Sequence, residues 1–419
     1  MELKPRYKQT EVGVIPEDWE VAPLGKRATF KTGPFGSALH QSDYVDGGVP
    51  VINPMQIVDG KLFPTAAMSI SEAAARRLSD FRLSEGNIVI GRRGEMGRCA
   101  FVLPEHQGWL CGTGSMIIRT GPSLEAQFIW RVLASPPIIA EIENASVGST
   151  MINLNQGTLG NLLVPFPPNK AEQAAIGQTL SDADALIESL EQLIFKKRHL
   201  KQGVMQELLR PKDWWQPTNL NSIADRSQRW SFTGGPFGSN LKSSDYADEG
   251  VRIIQLQNIG DGEFKDDYEI YTSPEKADEL LSCNIYPGEI ILSKMGDPVA
   301  RACIIPAYRE RYLMCSDGIR LAVDPKRFNT YFVYIMINAL EFRTKAANAG
   351  TGSTRKRIGL TALRNLEMLC PPLPEQAAIA LVLSDMEAEI AALDSKLSKA
   401  RQLKQGMMQE LLTGRIRLI

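Results

Sequence analysis

Basic and amide side chains occur at three matched places in the two halves of the sequence, and these residue types commonly contact nucleic acids. An arginine can bond a guanine edge through two donors, Asn and Gln can do the same for adenine, and Ser, Thr and Lys commonly contact phosphate. The candidates in the first half are Arg92, Arg93, Asn53, Gln56, Ser149, Thr150 and Asn153; those in the second half are Lys294, Gln255, Gln257, Asn258, Ser353, Thr354, Arg355, Lys356 and Arg357. We predict that all of them lie at strand ends or in loops.

Each group also has a structural explanation. Arg92 and Lys294 could equally form surface salt bridges, and the amide side chains could satisfy backbone groups at strand ends. The three consecutive cations at 355–357 repel one another unless an anion is nearby, so this group favours a nucleic-acid contact.

Catalytic motifs are absent from the sequence. It contains no GxxxxGK[ST] phosphate loop, no HExxH, no GxSxG, and no GxGxxG that opens a helix after a strand. With only three histidines, acid–base chemistry would fall on carboxylates, and no paired set stands out. We predict a chain with no catalytic residues, no cofactor-binding residues and no metal ligands.

Composition places few limits on function. The 419 residues suggest two to four domains of ordinary globular composition. The six cysteines show no CxxC spacing, which favours reduced thiols over a zinc site. A net charge of −1 neither indicates nor excludes a nucleic-acid binder, because the 47 basic residues can be concentrated on particular surfaces. No run of eighteen apolar residues and no apolar leader occurs, so we expect a cytoplasmic protein with no membrane contact.

The sequence is a tandem duplication. The segment 33–60 matches 235–262 at sixteen of twenty-eight positions, and both copies begin with the letters GPFGS. The segment 171–209 matches 374–412 at twenty-two of thirty-nine positions. Each unit therefore consists of a globular part followed by a long segment.

Both long segments have the periodicity of a coiled-coil helix. Apolar or small residues recur with alternating spacings of four and three: Ile176, Leu180, Ala183, Ile187, Leu190 and Ile194 in the first, and Ile379, Leu383, Met386, Ile390, Leu393 and Leu397 in the second. We call these positions the apolar seam. Proline pairs precede both segments, and Pro211 and Gly414 follow them, so about forty residues give helices roughly 60 Å long.

The charges of the two segments predict how the helices pair. The first half of each is acidic and the later part is basic, so antiparallel packing sets acid against base whereas parallel packing sets like against like. We therefore infer an antiparallel pair. The alternative is that the charge runs are only solvated faces, since exposed ion pairs contribute tenths of a kcal/mol each.

The globular parts combine strand and helix signals. Short apolar runs between Gly and Pro predict strands at 49–52, 88–90, 253–256 and 290–292, and longer segments predict helices at 71–78, 124–133 and 328–339. Each part is therefore predicted to be an α+β domain. Phe35 and Phe237, in the GPFGS turns, could stack on a base, but we expect them to anchor their turns in the core.

Several of these motifs resemble one known family. The sequence is similar to the specificity subunits of type I restriction-modification systems in the letters GVIPxxW at 13–19, the GPFGS turn, PP before EQxxI at 167–176, PPLPEQ at 371–376 and LLTG at 411–414. The match covers almost the whole chain, and the tandem plan is more distinctive than any single motif. The base-reading positions are not identified by it, because the GPFGS turn is alike in both units.

The resemblance implies two α/β target-recognition domains separated by two long antiparallel helices, with an internal pseudo-two-fold. We expect recognition domains at 1–165 and 211–368, and helices that act as spacer and docking surface at 166–210 and 369–419. The chain would read a bipartite, asymmetric site on double-stranded DNA without catalysis of its own. Two adenine methyltransferase subunits and the restriction subunits with motor and nuclease activity would join it, and those partners would bind S-adenosylmethionine, ATP and Mg.

Two other classes remain open from the sequence: a coiled-coil scaffold that binds only proteins, and an enzyme with an unrecognised motif. DNA binding with and without a methyltransferase partner separates the first from a DNA-reading subunit. Assays of the isolated chain with S-adenosylmethionine and with ATP separate the second. The residues do not identify the target bases, because no general code maps loop residues of this fold to bases.

Overall fold

A computed structural model describes residues 7–35, 38–146, 153–352 and 355–418 of the chain. The chain divides into two compact units. Unit 1 comprises Met1–Leu193 and Asp394–Ile419, and unit 2 comprises Ile194–Leu393. Each unit therefore contains one globular part together with a portion of both long helices.

The globular part of unit 1 and the first long helix have these bounds. The strands are β1 Tyr7–Thr10, β2 Gly13–Pro16, β3 Glu20–Pro23, β4 Ala28–Thr32, β5 Tyr44–Ile52, β6 Ile57–Val58, β7 Lys61–Leu62, β8 Ser69–Ile70, β9 Ile88–Gly91, β10 Cys99–Phe101, β11 Leu110–Cys111, β12 Ser115–Thr120 and β13 Leu163–Phe166. The helices are α1 Glu72–Arg77, α2 Ala126–Leu133, α3 Pro136–Ser146, α4 Gln156–Asn161 and the long α5 Lys170–Leu208.

The globular part of unit 2 and the second long helix follow in the same manner. The strands are β14 Gln216–Asn219, β15 Phe232–Gly234, β16 Tyr246–Ala247, β17 Val251–Ile254, β18 Ile270–Thr272, β19 Asn284–Ile285, β20 Ile290–Ser293, β21 Ala302–Ile304, β22 Tyr312–Met314, β23 Gly318–Leu321 and β24 Glu367–Cys370. The helices are α6 Leu220–Ile223, α7 Pro274–Glu279, α8 Thr330–Asn338, α9 Leu340–Ala349, α10 Leu360–Arg364 and the long α11 Leu373–Leu411.

The two globular parts share one sheet topology, which confirms the duplicated α+β plan. A four-stranded sheet has the order β10-β9-β12-β4 in unit 1 and β21-β20-β23-β15 in unit 2. A second sheet contains β11-β5-β8 in unit 1 and the equivalent β22-β17-β18 in unit 2. In both, one pair is parallel: β5 with β11, and β17 with β22. The predicted strand at 253–256 ends earlier, at Ile254, because a 3-10 turn, Leu256–Asn258, begins there.

Strand alternation buries both faces of each four-stranded sheet. In β9, Ile88 and Ile90 pack in one cluster with Phe128 of α2, whereas Val89 packs in another with Ile52 of the second sheet. Because side chains alternate along a strand, one face contacts helices and the other contacts the second sheet. In β20 of unit 2, Ile290 and Leu292 pack with Phe332 of α8, and Ile291 packs with Ile254.

The long segments form two 39-residue helices, which confirms the periodicity argument. At about 1.5 Å per residue each is roughly 58 Å long. The buried seam positions are Ile176, Leu180 and Ile194 in α5, and Ile379, Leu383, Ile390 and Leu393 in α11. The helices begin after the proline pairs and end before Pro211 and Gly414, where the sequence places their limits.

The helices pack antiparallel in each unit, as their charges predict. In unit 1, Asp184 pairs with Lys404 at 2.5 Å and Glu191 pairs with Arg401 at 2.6 Å. In unit 2, Lys197 pairs with Glu389 at 2.7 Å and Lys201 pairs with Glu387 at 2.9 Å. In both units the partner's number falls as the α5 residue number rises, which defines antiparallel packing. Because these pairs are only partly buried, they contribute orientation more than stability.

The six cysteines are free and buried, which agrees with reduced thiols. Burial raises the pKa of Cys99, Cys111, Cys303 and Cys370 to about 12, so these thiols stay protonated and unreactive at neutral pH.

Within the described ranges, no group of three or more His, Cys, Asp and Glu side chains is placed to hold a metal ion. Nor does any helix of the described chain have the length and apolar character needed to cross a membrane.

Candidate nucleic-acid interface

The ends of several strands meet at one edge of each unit. Parallel pairing places the residues after β5 and β11 side by side, and Gly112 N–H donates to the Ile52 carbonyl at 2.8 Å. Antiparallel pairing places the end of β9 against the start of β12, with Gly91 opposite Ser115. The residues after β5, after β9 and before β12 therefore converge, and we call this place the strand-end edge.

In unit 1 the strand-end edge brings together three predicted residues. The Asn53 Oδ1 accepts from the Gly114 N–H at 3.1 Å, and the Arg92 N–H donates to the Gly114 carbonyl at 2.8 Å. Leu154 N–H then donates to the Arg92 carbonyl at 2.9 Å, which places the exposed Asn153 beside Arg92. The short loop before β12 thus connects Asn53 with Arg92, and Arg92 in turn connects with the segment that contains Asn153.

The strand-end edge of unit 2 has the same construction. Cys315 N–H donates to the Ile254 carbonyl at 2.9 Å, immediately before Gln255, and Lys294 N–H donates to the Asp317 carbonyl at 2.7 Å. The segment with the three cations lies against the residues after β20. Gly296 N–H donates to the Lys356 carbonyl at 3.1 Å, and Ile358 N–H donates to the Lys294 carbonyl at 2.9 Å. Lys294 and the cationic segment 355–357 are therefore neighbours.

Several predicted amide side chains are occupied by internal hydrogen bonds. Gln56 is buried, and its Oε1 accepts from the Asn53 N–H at 3.3 Å. Asn258 is fully buried; its Oδ1 accepts from the Gln255 N–H, and its Nδ2 donates to the Lys265 and Tyr268 carbonyls. These contacts fix the 3-10 turn that follows β5 or β17, which is the structural alternative that the sequence left open.

The tips of those two turns differ between the units. Met55 is 81% exposed in unit 1, and the exposed Gln257 occupies the matching position in unit 2. A thioether offers apolar contact only, whereas an amide can bond two groups on an adenine edge. The same backbone frame therefore presents different chemistry in the two units.

The cations of the strand-end edge are unevenly paired. Neither Arg92 nor Lys294 forms an ion pair with any described residue; the Arg92 Nε donates to the Leu154 carbonyl at 2.9 Å. Arg93 and Arg355 are exposed and have no hydrogen-bond partner in the described part of the chain. Arg357 pairs with Asp317, and the Lys356 Nζ donates to the Ala347 carbonyl at 3.2 Å. Of the three cations at 355–357, only Arg357 therefore forms an ion pair with a described residue.

Burial, followed by the neighbouring charge of Arg93, lowers the pKa of Arg92. The charged form of Arg92 is thus held at some electrostatic cost, which an anion placed at this edge would relieve.

The predicted contacts Ser149, Thr150, Ser353 and Thr354 lie outside the described residues.

The expectation for Phe35 and Phe237 is wrong. Their side chains are 75% and 83% exposed and do not anchor the turns in the core. The reason is backbone packing: the preceding glycine of each turn presses against the loop of the strand-end edge, and a Cβ at Gly33 would lie 1.8 Å from the Gly112 oxygen. The glycine is held against that loop by backbone contact, so the turn does not depend on burial of the Phe35 or Phe237 ring.

Comparison with known proteins agrees with this architecture. The model of the type I restriction modification DNA specificity domain matches residues 16–196 and 254–400. A Methanocaldococcus jannaschii protein assigned as the MjaX type I restriction enzyme specificity subunit is 26% identical over 435 residues, covering 98% of this chain and 97% of that protein. The StySPI specificity subunit of Salmonella potsdam is 23% identical, covering 97% and 90%.

A solved structure shows the same fold. The crystal structure of the type I restriction-modification S subunit from M. genitalium superposes with a TM-score of 0.59 at 17% identity, covering 98% of this chain and 99% of that one. At this identity the likeness concerns the fold and not the bases that are read.

Proposed function

This chain belongs to the type I restriction-modification DNA specificity family, and from that premise we propose that each of its units reads one half of a split, asymmetric site on double-stranded DNA. Subunits of this family recognise the target site within the complex and are its non-catalytic component. The recognition domains of this proposal span 1–165 and 211–368, and the helices at 166–210 and 369–419 set the distance between the half-sites. A duplicated domain on a spacer of tens of ångströms can address two patches about one DNA turn, roughly 34 Å, apart.

One observation carries the proposal: both units build the same strand-end edge but line it with different side chains. Arg92 stands where unit 2 has Lys294, and Met55 stands where unit 2 has Gln257. Identical scaffolds with identical contacts would read a palindrome, whereas different contacts read two different half-sites. Phosphate contacts position such a domain and base contacts specify the sequence.

The decisive experiment is methylation mapping in a host that expresses this chain with its methyltransferase partner. Methylated adenines are expected in one bipartite motif with two unlike halves. A palindromic motif, or methylation that does not depend on this chain, would contradict the proposal. The proposal also places the chain in the cytoplasm and places S-adenosylmethionine, ATP and Mg in the methyltransferase and restriction subunits.

We expect two methyltransferase subunits for each chain, one on each long helix. The support is a repeated exposed patch. Leu200 on α5 is 55% exposed and its counterpart Leu403 on α11 is 65% exposed, and each lies one turn before a helical glycine, Gly203 or Gly406. A Cβ at either glycine would meet nothing within 4 Å, so packing of the two helices does not require glycine there. Glycine costs about 1 kcal/mol in a helix relative to alanine, which a closely approaching partner would explain.

Native mass spectrometry of the reconstituted complex tests this stoichiometry. Two methyltransferase subunits are expected for the natural chain, one for Leu200→Glu or Leu403→Glu alone, and none for the double variant. Leu186→Glu is the matched control, since it is also exposed and its counterpart in α11 is already Glu389. A natural chain that saturates at a one-to-one ratio would overturn the stoichiometry.

Replacing Arg355, Lys356 and Arg357 together by Ala is expected to weaken DNA binding and to flatten its salt dependence. Each phosphate contact contributes about 0.9 to the slope of log K against log salt, so a loss of about one to three units is expected. The measurement is DNA affinity of the assembled complex at several salt concentrations.

Lys326→Ala serves as the control for this charge change. Lys326 is exposed and follows the end of β23 that is remote from Asp317, so its removal is expected to leave the slope unchanged. An unchanged slope in the triple variant would mean that these cations face solvent or a protein partner.

A further inference from the structure

The backbone that precedes each exposed phenylalanine packs closely against the strand-end edge. The Gly33 N–H donates to the Ser115 carbonyl at 3.0 Å, and the Gly235 N–H donates to the Gly318 carbonyl at 2.8 Å. A Cβ at Gly235 would lie 1.7 Å from the Cys315 oxygen, as close as the contact at Gly33 in unit 1. Proline follows each glycine and fixes its own φ angle. The residues that precede each ring are thus held against the strand-end edge.

Both turns close in the same manner after the phenylalanine. The Phe35 carbonyl accepts from the Ala38 N–H at 2.8 Å, and the Phe237 carbonyl accepts from the Asn240 N–H at 2.8 Å. The same backbone hydrogen bond, from the residue three positions after the ring, is therefore present in both units. A phenylalanine has only two side-chain torsions, so little further ordering is needed when its ring contacts a ligand.

A single exposed aromatic residue is ordinary, but this one is retained, together with its whole GPFGS turn, in two segments that diverge after the turn. The segments 33–60 and 235–262 differ at twelve of twenty-eight positions, including exposed ones such as His40 and Lys242, yet both keep phenylalanine. Leaving a phenylalanine ring in water forgoes about 1.5–3 kcal/mol of burial free energy in each unit. Retention in both copies indicates a task that does not depend on which bases are read.

We propose that Phe35 and Phe237 are aromatic wedges that insert against a base-pair step of double-stranded DNA, one in each half-site. This inference rests on the proposed function. The loops that hold the rings also hold the backbone of Arg92 and Lys294, so a duplex whose phosphates meet those cations lies within reach of the rings. Apolar side chains that enter a base step unstack it and kink the duplex, and every base offers a face for stacking. A wedge therefore adds affinity in both half-sites without specifying sequence.

Affinity measurements on the complex with the methyltransferase subunits test the proposal. Phe35→Ala and Phe237→Ala are each expected to weaken DNA binding about 5- to 150-fold, the range of a lost aromatic–base stack. The salt slope should stay that of the natural chain, because no phosphate contact is removed. Phe→Trp at either position should retain binding. Both rings are exposed, so the melting temperature of the variants should be unchanged.

Leu103→Ala and Tyr308→Ala are the matched controls. Each removes an exposed apolar side chain, 40% and 72% exposed, from the end of its sheet opposite the strand-end edge, since Phe101 pairs with Ile88 and Ile304 pairs with Ile290. Their DNA affinities should equal that of the natural chain.

Base unstacking supplies a second readout. When 2-aminopurine is placed in turn at each position of a mapped site, its fluorescence is expected to increase on binding at one base step in each half-site. Phe35→Ala should abolish one of these increases and Phe237→Ala the other.

Unchanged affinity and fluorescence in the alanine variants, while the natural complex binds its site, would overturn the wedge and leave the proposed function intact. Loss of methyltransferase subunits from the variants in native mass spectrometry would also overturn it, because the rings would then contact protein. A natural complex without sequence preference would instead contradict the proposed function.

Discussion

Insertion of four residues between Arg198 and Lys201 is expected to change the gap between the two half-sites while leaving the bases of each half unchanged. Four helical residues add about 6 Å, which corresponds to one to two base pairs at roughly 3.4 Å each. Base identity should stay with the recognition domains, because contacts to base edges are local to each domain. Methylation mapping of the variant measures both the gap and the bases.

The insertion has a structural cost that must be checked first. Four inserted residues make slightly more than one helical turn, so the apolar seam after the insertion is rotated by about forty degrees relative to the seam before it. Circular dichroism must therefore show a folded protein before the methylated sites are mapped. Insertion of the same residues in the exposed turn between Tyr308 and Arg309 is the control, because exposed loops tolerate insertions and this one leaves the helices unchanged. New bases in either half, or the natural gap retained in a folded variant, would show that the helices do not set the spacing.

Arg417→Ala is expected to destabilise unit 1 by about 3–5 kcal/mol, the range for removing one partner of a buried ion pair. The Glu172 side chain is only 2% exposed, and Arg417 donates to it from Nη2 at 2.7 Å and from Nε. Arg417 also donates to both Asp18 oxygens, at 2.9 and 3.0 Å. The hydrogen bond to Glu172, more than any other contact, raises the pKa of Arg417, so the guanidinium keeps its charge at neutral pH. Without the guanidinium, a carboxylate remains buried with no cation.

Denaturant unfolding measures this loss, and two further variants define its cause. Arg415→Ala removes an exposed pair with Glu410 from the same segment, and its expected effect is about 0–1 kcal/mol. Adding Glu172→Gln to Arg417→Ala should recover much of the lost stability, since the uncompensated charge is then gone. An equal effect of Arg415→Ala and Arg417→Ala would show that the segment contributes through its backbone and not through this pair.

Local patterns predicted the elements that depend on local chemistry. The four-and-three spacing from Ile176 to Ile194 predicts a helix because the apolar face recurs within two turns, and α5 is that helix. The charge order along both segments predicts antiparallel packing, because only that arrangement sets the acidic half of one helix beside the basic half of the other. The ion pair of Asp184 with Lys404 agrees. The internal repeat likewise predicts two domains of one fold before any strand is placed.

The side chains of the strand-end edge could not be assigned from the sequence. Asn258 and Gln257 are adjacent and both polar, yet one is fully buried as a cap of its own turn and the other is exposed. Phe237 has the apolar side chain typical of a core residue, yet its ring is exposed to solvent. In each case the outcome depends on which neighbours the backbone brings within hydrogen-bonding or packing distance, and those neighbours come from distant segments.

The sequence by itself determined the duplication, the two long helices, their antiparallel order and the kind of domain between them, because these follow from periodicity, charge order and repetition along one chain. Only the tertiary structure decided that β5, β9 and β12 meet at one edge. It likewise decided that Arg357 is neutralised by Asp317 while Arg355 is not. The physical reason is that burial and pairing are properties of a position in space, and residues a hundred positions apart share that position only after the sheets have formed.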